Sequence, residues 1–125
     1  MKFSRVVFIA AGVWGVLVLT PLYFIFDTIG RQDPPPITHP GFYYGFVGAA
    51  LAWQLAFFVI ASDPVGFRPV MIAAILEKLT YAASVGLLYI QARIRAGDLG
   101  FAAADLVFAI LFAVSFAKAK TVPAA

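Results

Sequence analysis

The chain has 125 residues, 63% of them hydrophobic and only 12% charged, with a net charge of +3 and a mean hydropathy of +0.96. A soluble domain is about one-quarter charged, so this composition excludes a water-soluble globule and predicts one all-α domain, residues 1–125, in a lipid bilayer. Cysteine is absent and His39 is the single histidine, which excludes thiol chemistry and gives no reason to expect a metal or another cofactor. The basic residues gather near the ends, as Lys2, Arg5, Lys118 and Lys120, where they read as headgroup anchors and not as a nucleic-acid surface.

The first apolar stretch, about 5–26, follows a basic start but lacks a small-residue cleavage site, and it reads as a retained span. Trp14 lies deeper in it than an interfacial aromatic belt. The step Thr20-Pro21, followed by Tyr23, should loosen its far end, because proline removes a backbone donor. The connector DTIGRQDPPPITHP carries four prolines and cannot be helical throughout. His39, at its end, reads as a solvated loop residue, with a proton shuttle as the sharper alternative.

The second stretch, about 41–61, opens with Gly41, Gly45, Gly48, Ala49 and Ala52, a small-residue strip suited to close helix approach. Tyr43 and Tyr44 fall where interfacial aromatics sit. Tyr43 also shares a face with Gln54, and Trp53, like Trp14, lies deep enough to line a cavity for an apolar ligand, with lipid-facing filling the more common explanation. The turn SDPVGFRP combines stop signals at Ser62 and Asp63 with breakers at Pro64 and Gly66. Pro69 suits the first turn of the third stretch, about 69–91.

The third stretch holds adjacent charges, Glu77 and Lys78. A charge at the centre of a membrane helix costs roughly 2.5 to 3.5 kcal/mol on insertion scales and marks a partner, a cavity or a function. At helical spacing Glu77, Thr80, Tyr81, Ser84 and Gln91 form one polar stripe, which should face the bundle or a second copy. Interhelical hydrogen bonding is the plainer reading of that stripe. Counting residues from the shared ends puts Glu77 about 13 Å and Gln54 about 12 Å into the membrane, near one level. Neighbours on a helix point about 100° apart. Glu77 is therefore expected to face the polar interior while Lys78 turns to Asp105 of the last stretch, about 99–117, in a structural ion pair. Gly97 reads as the cap closing the third helix and Asp98 as the N-cap of the fourth. A cation path along Asp98 and Asp105 is the less economical alternative.

Short connectors force antiparallel neighbours, so the expected architecture is an up-down-up-down four-helix membrane bundle. Lysine and arginine counts favour cytoplasmic N- and C-termini in the cell's inner (plasma) membrane, with Arg93 and Arg95 counting against that orientation and dual topology as the alternative. The candidate ligand-binding set is Tyr43, Trp53, Gln54, Glu77, Tyr81 and Ser84. Glu77 is the candidate catalytic residue, because a buried carboxylate suits proton transfer.

Three functions fit these residues. The first is binding of a lipid-like or other hydrophobic small molecule, or service as an accessory subunit. The second is acid-base isomerisation of a lipid or isoprenoid at Glu77, with Gln54 and Tyr81 orienting the substrate. The third is proton-coupled export, which favours a homodimer. The first is preferred, since the polar set is small and contains no nucleophile, histidine pair or metal cluster.

The stretches HPGFYYGF, ASDPVGFRPVM, LEKLTYAA and ADLVFAILFAVSFAK together resemble uncharacterised small four-helix bacterial inner-membrane proteins of the DoxX-like kind. The resemblance covers the layout of most of the chain and implies fold and location. Small multidrug-resistance transporters are similar in length and span count, but they rely on a glutamate in the first helix, where this chain has no acid.

Overall fold

The structure, a computed structural model, describes residues 2–120. It contains α1 (Lys2–Leu19), a 3-10 turn (Thr20–Tyr23), α2 (Phe26–Gln32), α3 (Pro40–Ser62), α4 (Val70–Ile90) and α5 (Asp98–Lys118), with no strand among the described residues. Four helical segments, α1 with its 3-10 extension, α3, α4 and α5, are long and apolar enough to cross a membrane. The protein is a multi-pass membrane helix bundle. Its outward faces carry large apolar side chains such as Leu17, Leu55 and Ile90, which in a bilayer meet lipid tails at no hydration cost.

The ends of the helices follow from local chemistry. Pro21 has no N–H to donate, so α1 tightens into the 3-10 turn, closed by Phe24 N donating to the Pro21 carbonyl at 2.9 Å. The expected loosening at Thr20-Pro21 thus takes the form of a tighter turn that ends the first span. The proline-rich connector then begins with a short helix, α2, carrying Asp27 in its first turn and Arg31 in its last, the arrangement a helix dipole favours. Beyond α3, the Asp63 carboxylate accepts the Gly66 N–H at 3.1 Å. A Cβ at residue 66 would displace that carboxylate and disturb the bond, so glycine suits the turn.

The end of α4 departs from expectation. Gly97 has φ −59° and precedes α5, while Ala92 takes the left-handed conformation at φ 57°. The Ala92 N–H donates to Tyr89 and the Arg93 N–H to Leu88, both at 2.9 Å, closing the last turn of α4. The chain leaves α4 before it reaches the glycine, so the cap falls on the residue available there. Asp98 also differs from its expected role: it is the first residue of α5, and no side chain caps that helix.

The four long helices pack as two close pairs. In the first pair α1 lies antiparallel to α3: Phe8 meets Phe57, Gly12 faces the Phe58 ring, and Gly15 faces Gln54. A Cβ at Gly12 would fall 2.6 Å from the Phe58 ring. These glycines allow the close backbone approach that the strip on α3 was expected to provide. Gly41 and Gly45 instead have nothing within 4 Å of a built Cβ, and Gly48 meets only the Tyr23 hydroxyl. The second pair is α4 against α5, where the Arg68 Nε donates to the Phe116 carbonyl at 2.8 Å and the guanidinium sits 3.7 Å from the Phe116 ring centroid.

The pairs join most tightly at the end holding the described termini and the turn after α3. Phe8, Phe57 and Phe112 are fully buried there; Phe8 stacks on Phe112 at 4.2 Å and Phe57 meets Phe112 edge-on at 5.0 Å. Ile60, Met71 and Ala74 complete the cluster. Further along, α3 and α4 touch little, and a cleft opens between the two pairs.

Candidate functional site

The cleft has a volume of about 810 Å³ and is lined from α1, the first connector, α3, α4 and α5. Its buried charge is Lys78, whose side chain is 5% exposed. The ammonium lies 3.4 Å from Asp105 Oδ1, to which it donates a hydrogen bond, and 3.6 Å from Glu77 Oε2. Beneath it are the rings of Phe57 and Phe108, 5.2 and 5.8 Å away, within cation–π range. Lys78 therefore stands where the aromatic cluster ends and the cleft begins.

Lys78 thus serves two carboxylates, which corrects the expectation that Glu77 and Lys78 have separate duties. The cause is geometric. A long flexible lysine stem reaches both its helical neighbour and α5, so the roughly 100° between adjacent side chains does not separate them. One ammonium between two carboxylates leaves one formal negative charge, which a proton or a bound cation would neutralise.

Gln54 is 1% exposed and lies on the cleft wall. Its Nε2 donates to the Ala50 carbonyl at 2.7 Å within its own helix. Its Oε1 rests against Gly15 without a hydrogen-bond donor, and Glu77 Oε2 has none nearer than the Lys78 ammonium at 3.6 Å. Buried acceptors without donors are uncommon and costly. Gly15 matters here because any side chain at that position would displace the Gln54 amide.

Trp53, Tyr81 and Ser84 line the cleft together with Gln54 and Glu77. Tyr81 stacks with Phe46 across the gap between α3 and α4, at 6.4 Å between centroids. Tyr43 does not line the cleft. Its hydroxyl donates to the Leu22 carbonyl at 2.6 Å and its ring meets Phe26 edge-on, so it pins the 3-10 turn to α3. The last carbonyls of a helical segment have no partner within it, and the tyrosine takes one of them. The polar stripe of α4 faces the cleft through Glu77, Thr80, Tyr81 and Ser84; Gln91 lies exposed beyond the helix end. His39 is exposed, edge-on to Phe42 at 5.8 Å, and lies outside the cleft.

Several lining residues lie outside the candidate set read from sequence. Trp14 contributes from α1, and Leu22, Ile25 and Ile29 extend an apolar wall toward the connector. At the mouth Arg95 pairs with Asp33 at 3.6 Å and donates to the Gln32 carbonyl at 3.3 Å, tying the connector after α4 to that after α2. Asp98 lines the same mouth. Asp33 and Arg95 are far apart in sequence and sit in irregular segments, so no periodicity marks them. The pair Gly12 and Gly15, beside Trp14, was the available signal for close packing on α1.

Chemically, the site offers acceptors and negative charge inside apolar and aromatic walls. Among the described residues no group of three histidine, cysteine or acidic side chains is placed to hold a metal ion. No protein-family model, curated protein or solved structure matches the chain.

Proposed function

We propose that this protein binds a lipid-like or other hydrophobic small molecule in the cleft between its two helix pairs. The observation that carries this reading is the cleft itself. Its volume, about 810 Å³, lies in the range of small-molecule sites, which combine apolar walls with a few convergent polar groups. Trp14, Trp53, Phe46 and Leu22 supply the walls, and Gln54, Glu77 and Asp105 the polar groups. The proposed location is the inner (plasma) membrane with cytoplasmic termini. It is supported by Lys2, Arg5, Arg68, Lys118 and Lys120 at one end and by the resemblance to bacterial inner-membrane proteins.

The test is gentle purification in lipid nanodiscs followed by mass spectrometry of the small molecules retained. Ala49→Phe, which fills the cleft from an exposed position of α3, should abolish retention while leaving the helical circular-dichroism spectrum unchanged. Equal retention by the wild type and this variant would remove the cleft as the site.

A second reading, acid-base isomerisation of the bound molecule, is favoured by one side chain. The Glu77 carboxyl lines the cleft with 20% of its side chain exposed, a placement suited to proton exchange with a ligand. Once the retained molecule is identified, solvent deuterium should enter it during turnover by the wild type. No incorporation should occur with Glu77→Gln.

A further inference from the structure

The charges of the chain are unevenly distributed. The whole sequence is basic, with nine lysines and arginines against six acids. Its cleft is acidic: Asp33, Glu77, Asp98 and Asp105 line it against Lys78 and Arg95 alone. Four of the six acids therefore face one cavity that only two of the nine basic residues share.

Within the cleft the hydrogen-bonding capacity is also one-sided. Lys78 is already divided between Glu77 and Asp105 at 3.6 and 3.4 Å, and Arg95 is engaged at the mouth by Asp33 and the Gln32 carbonyl. Glu77 and Asp105, sharing that one ammonium, keep 20% and 15% of their side-chain surface exposed, so carboxylate acceptors outnumber donors along the cleft wall. Trp14, Trp53, Phe46 and Tyr81 line the same space, and aromatic rings attract cations through their π-faces.

We infer that the ligand of this cleft is a hydrophobic cation bearing hydrogen-bond donors, a protonated amine on an apolar body, with its head beside Glu77 and Asp105. This inference rests on the binding reading above and adds the sign and donor character of the head group. An ammonium there supplies the positive charge that one lysine cannot give to two carboxylates, and its N–H groups can donate to the exposed part of both. Its apolar body lies along the Leu22, Ile25 and Ile29 wall. A carboxylate or phosphate head would bring further negative charge to an acidic cluster in a low-dielectric site, where like charges are most costly.

The chain's own fluorophores test this. Its two tryptophans, Trp14 and Trp53, both line the cleft, so intrinsic fluorescence reports occupancy directly. The protein, in zwitterionic phosphatidylcholine nanodiscs at neutral pH, is titrated with dodecylamine, dodecyltrimethylammonium, dodecanol and dodecanoate. Ala49→Phe provides the baseline for partitioning into lipid.

Dodecylamine should bind at least about tenfold more tightly than dodecanoate, with dodecyltrimethylammonium, which has no donor, between them. Glu77→Gln should reduce the preference for amine over carboxylate. Asp98→Asn, at the mouth and away from the Lys78 cluster, should reduce it less and guards against a folding defect in the first variant.

Equal binding of amine and carboxylate above the Ala49→Phe baseline would overturn the cationic head and leave the binding reading standing. Equal binding of dodecylamine and dodecyltrimethylammonium would remove the donor requirement. If no probe exceeds that baseline, both readings fall.

Discussion

The two ends of this bundle are built from the same four long helices but in opposite ways. At one end Phe8, Phe57 and Phe112 interlock without exposed surface. At the other, α3 and α4 stand apart and the space between the pairs carries carboxylates, an amide and hydroxyls. In lipid no hydrophobic force drives helices together, so association depends on close packing and on polar contacts. The aromatic end uses the first and the cleft end the second. A tightly packed end can fix the helices while the other end stays open, and Lys78, above the Phe57 ring and beside two carboxylates, stands where they meet.

The comparison breaks most visibly at that residue. Lys78→Met should cost about 3–5 kcal/mol, because it leaves Glu77 and Asp105 facing each other without a cation. The measurement is the free energy of unfolding by SDS titration. Adding Asp105→Asn in the same chain should restore part of the loss, and a double variant as unstable as the single one would show that Lys78 acts through packing alone.

Within the packed end, Phe112→Ala should cost about 3 kcal/mol. That is the low end for a phenylalanine truncation, since the unfolded reference is lipid-solvated and mainly the cavity term remains. The same titration should show this loss with the binding of hydrophobic probes largely retained, provided the protein is assayed where it remains folded. Equal loss of stability and of probe affinity would show that the two ends are not separable.

Gly15→Ala tests the border on α1. The added methyl meets the Gln54 amide, and overpacking of this kind costs about 1–3 kcal/mol. Here stability and probe affinity should fall together, because Gly15 supports a residue of the cleft wall. The smallest expected effect is that of Tyr43→Phe, which removes one hydrogen bond to the Leu22 carbonyl, worth about 0.6 kcal/mol in a membrane helix bundle. Probe affinity should change little. A large loss of affinity would return Tyr43 to the ligand site.

Hydropathy, the approximate extent of the four spans and the polar stripe of α4 were legible in the sequence because each depends on neighbours along one helix. Glu77, Thr80, Tyr81 and Ser84 share a face by the 3.6-residue period alone. The role of Tyr43 was not legible in the same way. Its face pointed toward Gln54, yet its hydroxyl is taken by a carbonyl of the 3-10 turn, whose position depends on how α1 lies on α3. Small residues on α3 suggested packing there, but the close approach uses Gly12 and Gly15 of α1. A small-residue strip marks where a helix can be approached without specifying which helix approaches. Asp33 and Arg95 belong to segments with no regular period, and only the folded chain brings them together across the mouth.

The sequence by itself determined that this is a helical membrane protein with a charged group embedded among apolar residues, because spanning length and helical period are local properties. Tertiary structure decided that the bundle divides into two pairs, that one lysine serves two carboxylates, and that four acids share a cleft. Those features depend on distances between side chains on different helices, set by which surfaces can pack most closely.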